Sequence, residues 1–123
     1  IRYSLDGDKL LGTGGAIKKS LPLATKDFFV LYGDSFLPIH YKSVEDAYFL
    51  SKKNALITVV KNNDQWDKSN VEFESGKIIE YNKQHPNQNM HYIDYGLSIL
   101  NQSIFDTSIL HSQHQVKCRH NKI

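Results

Sequence analysis

Asp27-Phe28-Phe29-Val30-Leu31-Tyr32, followed at once by Gly33-Asp34-Ser35, is the stretch on which the fold turns. An unbroken apolar and aromatic run of this length suits a strand covered on both faces, as in a parallel sheet. Gly-Asp-Ser then supplies turn residues that end it. Downstream, Ser43-Val44-Glu45-Asp46-Ala47-Tyr48-Phe49-Leu50 sets a Ser ahead of acids, with apolar residues at helical spacing. That pattern predicts a capped helix. Ala55-Leu56-Ile57-Thr58-Val59-Val60 reads as the next buried strand. Strand, helix, strand in this order predicts a βαβ unit with a right-handed crossover and a parallel sheet.

Upstream of the deciding run, Leu11-Gly12-Thr13-Gly14-Gly15 leads into Ala16-Ile17-Lys18-Lys19-Ser20-Leu21, and Pro22 limits the helix that begins there. A glycine loop is thus expected to meet a helix N-terminus. Ile1 to Leu5 alternates around Tyr3 and predicts a short strand, closed by the turn residues Asp6-Gly7-Asp8. Further along, Asn70-Val71-Glu72-Phe73-Glu74, Ser75-Gly76 and Lys77-Ile78-Ile79-Glu80-Tyr81 form a hairpin signal. A polar loop from Gln84 to Asn89 contains Pro86, and Met90 to Leu100 reads as a strand with Gly96 inside it. Glycine within a strand marks a bulge or a close approach by a ligand. The expected fold class is therefore α/β: a mostly parallel, Rossmann-like sheet with flanking helices plus a β-hairpin. Residues 1–110 form the domain part, and the tail 111–123, without apolar period, is expected to be irregular.

Composition narrows the function classes. A chain of 123 residues is the size of one domain, and 40% hydrophobic with 23% charged residues is globular rather than disordered. Against 15 Lys plus Arg stand 13 Asp plus Glu, giving a net charge of +2 with no basic stripe before the last few residues. No nucleic-acid surface is implied. No apolar run approaches the roughly 18 residues that cross a bilayer, so no membrane partner is expected. The single cysteine, Cys118, has no internal partner, which favours a reducing compartment. A cytoplasmic location follows as the expectation.

Three features could carry chemistry. Asp34 stands where a strand of an open α/β sheet ends, the usual side of the ligand crevice. One carboxylate there suits Mg²⁺, which fills its other sites with water and substrate phosphates; a plain Gly-Asp turn or helix cap uses the same residues. Gly12-Thr13-Gly14-Gly15 offers unobstructed backbone N–H groups to a phosphate or a base edge, although its spacing matches neither the dinucleotide fingerprint nor the phosphate loop. Lys83, just past the hairpin, could neutralise a phosphate or simply be solvated. The 6 histidines, among them His40, His85 and His91, fall in no metal-ligand spacing. Ser35 and Ser112 lack the glycines of a nucleophile elbow, which argues against serine catalysis.

In combination these segments resemble a known family. Leu11-Gly12-Thr13-Gly14-Gly15-Ala16-Ile17-Lys18 resembles the Leu-Gly-Thr-Ala/Gly-Gly-Ala-Leu/Ile segment of sugar-1-phosphate nucleotidyltransferases, the group of mannose-1-phosphate guanylyltransferases and glucose-1-phosphate thymidylyltransferases. Phe28 to Ser35 looks like their strand ending in Gly-Asp, and Ser69 through Lys83 with Tyr92-Ile93-Asp94-Tyr95-Gly96 looks like their sugar-binding half. The likeness runs from Ile1 to about Leu100. It implies a nucleotide-diphospho-sugar transferase fold and transfer of a nucleotidyl group from a nucleoside triphosphate to a sugar-1-phosphate, with release of pyrophosphate. Leu11, Gly12, Thr13 and Gly15 would then bind the nucleotide, Asp34 the Mg²⁺, and Lys83 the sugar phosphate. Asn70, Asn82, Asp94 and Gly96 would line the sugar pocket, Asn82 standing where many members have Glu. His40 stands where relatives often have Asp.

The resemblance covers the central part of such a domain. The family's glycine-rich, Arg-containing triphosphate loop would lie upstream of Ile1, and its second metal-binding Asp beyond the matched region. The 123 residues alone are therefore expected to be inactive, since losing one preorganised group costs about 10²-fold or more. A homo-oligomer is compatible with the pattern. Two other readings stand beside the enzyme: a non-catalytic nucleotide or nucleotide-sugar binding module of the same fold, and a glycosyltransferase, which the missing Asp-x-Asp at Asp34-Ser35-Phe36 disfavours.

Overall fold

A computed structural model of the chain describes residues 1–33 and 37–106. Helix α1 (Gly12–Ser20) runs into a 3₁₀ turn (Leu21–Leu23) and strand β1 (Asp27–Leu31). Helix α2 (Tyr41–Ser51), β2 (Ala55–Lys61), the hairpin β3 (Val71–Glu74) and β4 (Lys77–Tyr81), the long strand β5 (Tyr92–Asn101) and a 3₁₀ turn (Gln102–Phe105) complete it. Asp34, with Ser35 and Phe36, and the tail 111–123 lie outside the described residues.

The sheet is organised around β5. β1 pairs with it from Asp27↔Asn101 to Leu31↔Leu97, and β2 pairs with the same stretch, from Ala55↔Leu100 to Ile57↔Ser98. Two strands that both pair with residues 98–100 must occupy opposite edges of β5, so β5 lies between them. β3 joins β5 at Val71↔Tyr92 and carries β4 outside it. Every one of these pairings is antiparallel.

This corrects the expected parallel sheet. β1 and β2 do run in the same sense, as a βαβ unit demands, but the slot between them is filled by a strand of opposite direction. A continuous apolar run specifies burial and leaves the direction of the neighbouring strand undetermined. Nor is β1 covered on both faces among the described residues: Phe29 is 43% and Leu31 46% exposed.

Several local expectations also shift. Ile1 to Leu5 forms no strand. α1 begins at Gly12, four residues earlier than the glycine-loop reading placed it, so the glycines are the first turn of the helix and not a loop before it. Gly15 has a packing reason to lack a side chain, because a Cβ there would lie 2.8 Å from Leu11 Cβ. α2 begins at Tyr41 with His40 as its N-cap residue. Ser43 is thus inside the first turn, its hydroxyl 2.9 Å from His40 Nδ1. The hairpin and the strand through Gly96 form where the alternation put them.

Adjacent residues of a strand point to opposite faces, and the two apolar clusters divide accordingly. On one face α2 lays Val44 and Tyr48 against Leu56, Leu97 and Ile99. On the other, Val59 and Val71 are buried with Ile57, Phe73, Ile78 and Tyr92 packed around them. The first cluster ends at a polar group: Tyr48 Oη donates to Asp27 Oδ1 at 2.5 Å, and Asn101 Nδ2 donates to the same oxygen at 2.6 Å. Together these two bonds hold the Asp27 carboxyl below its ordinary range. A carboxylate whose folded pKa is depressed contributes stability above its unfolded pKa and loses it as the pH falls toward the folded pKa. Thermal melts of wild type and Asp27→Asn are expected to differ most above about pH 5 and to converge as the pH falls through the depressed folded value. A difference independent of pH would rule out the charged hydrogen bonds as its source.

A second polar knot fixes the connection from β2 to β3. Asn62, 1% exposed, accepts from Trp66 N through Oδ1 and donates to Ser69 Oγ at 3.1 Å. Asp64 and Ser69 close the loop reciprocally, Ser69 N donating to Asp64 Oδ1 at 2.7 Å and Asp64 N donating to Ser69 Oγ at 3.0 Å. Buried polar groups left without partners cost about 1–3 kcal/mol each. Asn62→Ala is expected to lower unfolding free energy by about 2 kcal/mol in a urea titration, and a loss under about 0.5 kcal/mol, the effect of a surface substitution, would show that the loop orders without it.

Candidate functional site

The site is built on an irregularity in β5. Ile57 pairs with Ser98 while Val59 pairs with Asp94, so two steps along β2 span four along β5. The extra residues around Gly96 bulge, and Gly96 takes φ +86°, a region that side chains rarely adopt. Asp94 Oδ1 accepts from Gly96 N at 2.8 Å, which ties the carboxylate to the bulge beneath it. From the other side Tyr32 N donates to Gly96 O at 3.2 Å. The residue that follows β1 is thereby fastened to the same spot. Gly96→Ala would force a Cβ into that backbone region and is expected to cost about 1–2 kcal/mol by denaturant unfolding.

The hairpin brings the remaining pocket residues to this corner. Asn70 N donates to Tyr92 O at 2.9 Å, and Asn82 N donates to Asn70 O at 2.9 Å, extending the β3–β4 ladder by one pair. Asn70 Oδ1 is buried and has no hydrogen-bond partner, an acceptor left over by the fold itself. Asn82 is differently placed. Its Oδ1 accepts from Gln84 N at 3.1 Å and His85 N at 3.0 Å. The side chain that the resemblance assigned to the sugar thus shapes the loop after β4.

Two tyrosines, Tyr32 and Tyr81, complete the corner, and the sequence reading passed over both. Tyr81 Oη donates to Asp94 Oδ2 at 3.3 Å, while Lys83 Nζ lies 5.8 Å from the Tyr81 ring centroid, within cation–π range. Burial, then the Asp94 charge, pushes the Tyr81 phenol up to about 12. Tyr32 is raised by the same causes in the same order. Both phenols therefore remain protonated at neutral pH. The signal that could have found them is spacing in the sequence: Tyr32 stands two residues before Asp34 and Tyr81 two before Lys83.

Leu11, Gly12, Thr13 and Gly15 are gathered elsewhere, at the start of α1. Leu11 N donates to Asp6 Oδ2 at 3.1 Å, and Lys19 Nζ donates to the Asp6 carbonyl at 3.0 Å. The far end of α1 is held to the sheet by Gln102, whose amide donates to the carbonyls of Leu21 and Ala24 at 3.1 and 3.2 Å. The site residues thus form two groups, a glycine-rich helix start and a sheet corner holding Asn70, Asn82, Asp94 and Gly96. No cluster of three or more His, Cys, Asp or Glu among the described residues is placed to hold a metal. No helix among them is long and apolar enough to cross a membrane.

Comparison with solved structures gives this arrangement a context. HddC from Yersinia pseudotuberculosis superposes with a TM-score of 0.65 at 20% identity over 91% of this chain and 54% of that one. Its complex with GMP-PN gives 0.66 at the same identity and coverage. The inositol-1-phosphate CTP transferase from T. maritima gives 0.67 at 19% identity over 88% of this chain and 51% of that one. The chain has a nucleotidyltransferase-like fold. It spans about half the length of each of these neighbours. At this identity the likeness is one of fold, and no family model or curated protein matches the sequence.

Proposed function

We propose that the protein to which these residues belong transfers a nucleotidyl group from a nucleoside triphosphate to a sugar-1-phosphate or related polyol phosphate. The observation that carries this reading is the corner at Gly96: an Asp94 carboxylate held at both oxygens, a buried acceptor on Asn70 without a partner, and Lys83 alongside. Acceptors of this kind suit the hydroxyl hydrogens of a polyol, and a lysine suits its phosphate. The fold shared with a protein named as a CTP transferase for inositol 1-phosphate supports the same chemistry.

In this reaction a phosphate oxygen of the sugar-1-phosphate attacks the α-phosphorus in line. A new P–O bond forms as the bond to pyrophosphate breaks, and pyrophosphate leaves. Such a step needs alignment and neutralised charge more than a covalent nucleophile. Lys83 would neutralise the sugar phosphate, Asn70 and Asp94 would orient its hydroxyls, and Leu11, Gly12, Thr13 and Gly15 would face the nucleotide. Asp34, a hard oxygen donor that follows β1 in the sequence, would suit Mg²⁺, which would supply the charge that two phosphate groups require. A cytoplasmic setting, where both substrates are made, belongs to the same reading.

The test is pyrophosphate release by the full-length protein, with the four nucleoside triphosphates against mannose 1-phosphate, glucose 1-phosphate and myo-inositol 1-phosphate. Release that requires both substrates supports the transferase. Nucleotide binding without release from any pair would select the non-catalytic module instead.

A further inference from the structure

We propose that Tyr81 is a positioning residue that couples the two ends of the acceptor pocket: its hydroxyl holds Asp94 and its ring holds Lys83. This deepens the transferase reading and rests on it. The phenol donates to Asp94 Oδ2 at 3.3 Å while Gly96 N donates to Oδ1 at 2.8 Å. Gly96 N and the Tyr81 phenol thus hold one oxygen each, a hydrogen bond from Tyr32 adds to them, and together they fix the plane of the carboxylate while leaving a lone-pair direction for a ligand hydroxyl. The same ring carries the Lys83 ammonium at 5.8 Å. Lysine has a long, flexible stem with little geometric preference of its own, so a ring beneath it limits where the charge can sit.

The reason one residue serves both groups is strand geometry. Tyr81 is the last residue of β4 and pairs with Val71, which in turn pairs with Tyr92 on β5. Its side chain reaches across β3 toward Asp94, two residues along β5, while Lys83 follows two residues along its own chain. Tyr32, whose phenol is raised by burial and by the Asp94 charge, belongs to the same corner. Asn82 stands between Tyr81 and Lys83 in the chain and is committed to the loop through Gln84 and His85. It therefore anchors the segment that carries Lys83 while Tyr81 sets where the ammonium points.

Two substitutions separate the contacts. Tyr81→Phe keeps the ring and removes the donor; Tyr81→Leu removes both. In the full-length protein without ligand, NMR should show the Lys83 ε-methylene protons shifted upfield by the ring, retained in Tyr81→Phe and lost in Tyr81→Leu. Absence of that shift in wild type overturns the coupling without reference to any reaction. With mannose 1-phosphate, glucose 1-phosphate or myo-inositol 1-phosphate, whichever turns over, Tyr81→Phe should raise KM about tenfold with kcat within about twofold, the signature of lost uniform binding. Tyr81→Leu should raise KM about thirtyfold, the ring contact adding to the lost hydrogen bond. Unchanged KM with a lowered melting temperature would make Tyr81 structural only. Failure of wild type on every substrate pair would overturn the transferase reading and the role with it, while leaving the NMR arm to decide the contact by itself.

Discussion

Replacing Asp34 with alanine in the full-length protein is expected to lower kcat for pyrophosphate release by about 10³-fold, with far less effect on folding. Asp34 follows Gly33 at the end of β1, and Tyr32, two residues earlier, is pinned to Gly96 by a 3.2 Å hydrogen bond. Tyr32 thus lies at the corner where Asp94 sits. In the proposed role Asp34 holds Mg²⁺ where charge builds up, so its removal should depress kcat more than it raises KM. The dependence on Mg²⁺ concentration should move as well, toward higher metal. An Asp34→Ala protein that kept the full rate would remove the metal from Asp34, and Asp34→Asn would then be the wrong place to look for partial activity.

The largest structural effect is expected at Leu97. It is fully buried at 0% exposure, packs with Val44, Tyr48, Leu56 and Ile99, and its carbonyl accepts from Thr58 Oγ1 at 2.8 Å. Truncating a buried leucine removes transfer free energy and leaves a cavity, together about 3–5 kcal/mol where the surroundings cannot relax. Relaxation is restricted here because β1 and β2 grip the strand from opposite edges. Urea unfolding of Leu97→Ala should therefore show a lowered midpoint with an unchanged slope. A loss below about 1 kcal/mol would mean that α2 can settle into the space.

The hairpin and β5 were legible because alternation and the Ser75-Gly76 turn specify them locally. Strand direction was not. Phe28 to Tyr32 and Ala55 to Val60 announce burial, but the strand that separates them comes some thirty residues after β2, roughly the reach at which single-segment patterns lose force. Helix starts erred for a related reason. Ser43 has the chemistry of an N-cap, yet the chain turns at His40, and Ser43 bonds back to it from inside the helix. At the site, Asn70, Asp94 and Gly96 came from the resemblance and do lie at one corner. Asn82 lies there too, though its side chain is spent on the loop. Tyr32 and Tyr81 escaped notice because a strand tyrosine reads as an apolar residue until the partner of its hydroxyl is known. Asp94 becomes that partner only after β5 has paired.

The position of β5 also dictates an order of events during synthesis. β1, α2 and β2 leave the ribosome before β5, yet β1 and β2 share no edge; among the described residues each pairs with a strand that is still unmade. Phe28, Leu56 and Val59 lack their β5 partner until Tyr92 to Asn101 arrives, and among the described strands the hairpin β3–β4 alone can close beforehand from neighbouring residues. Once β5 arrives it completes both faces in one step. Folding should therefore be late and cooperative, limited by long-range pairing, and a chain released before residue 101 would expose its apolar strands to any chaperone or aggregate within reach.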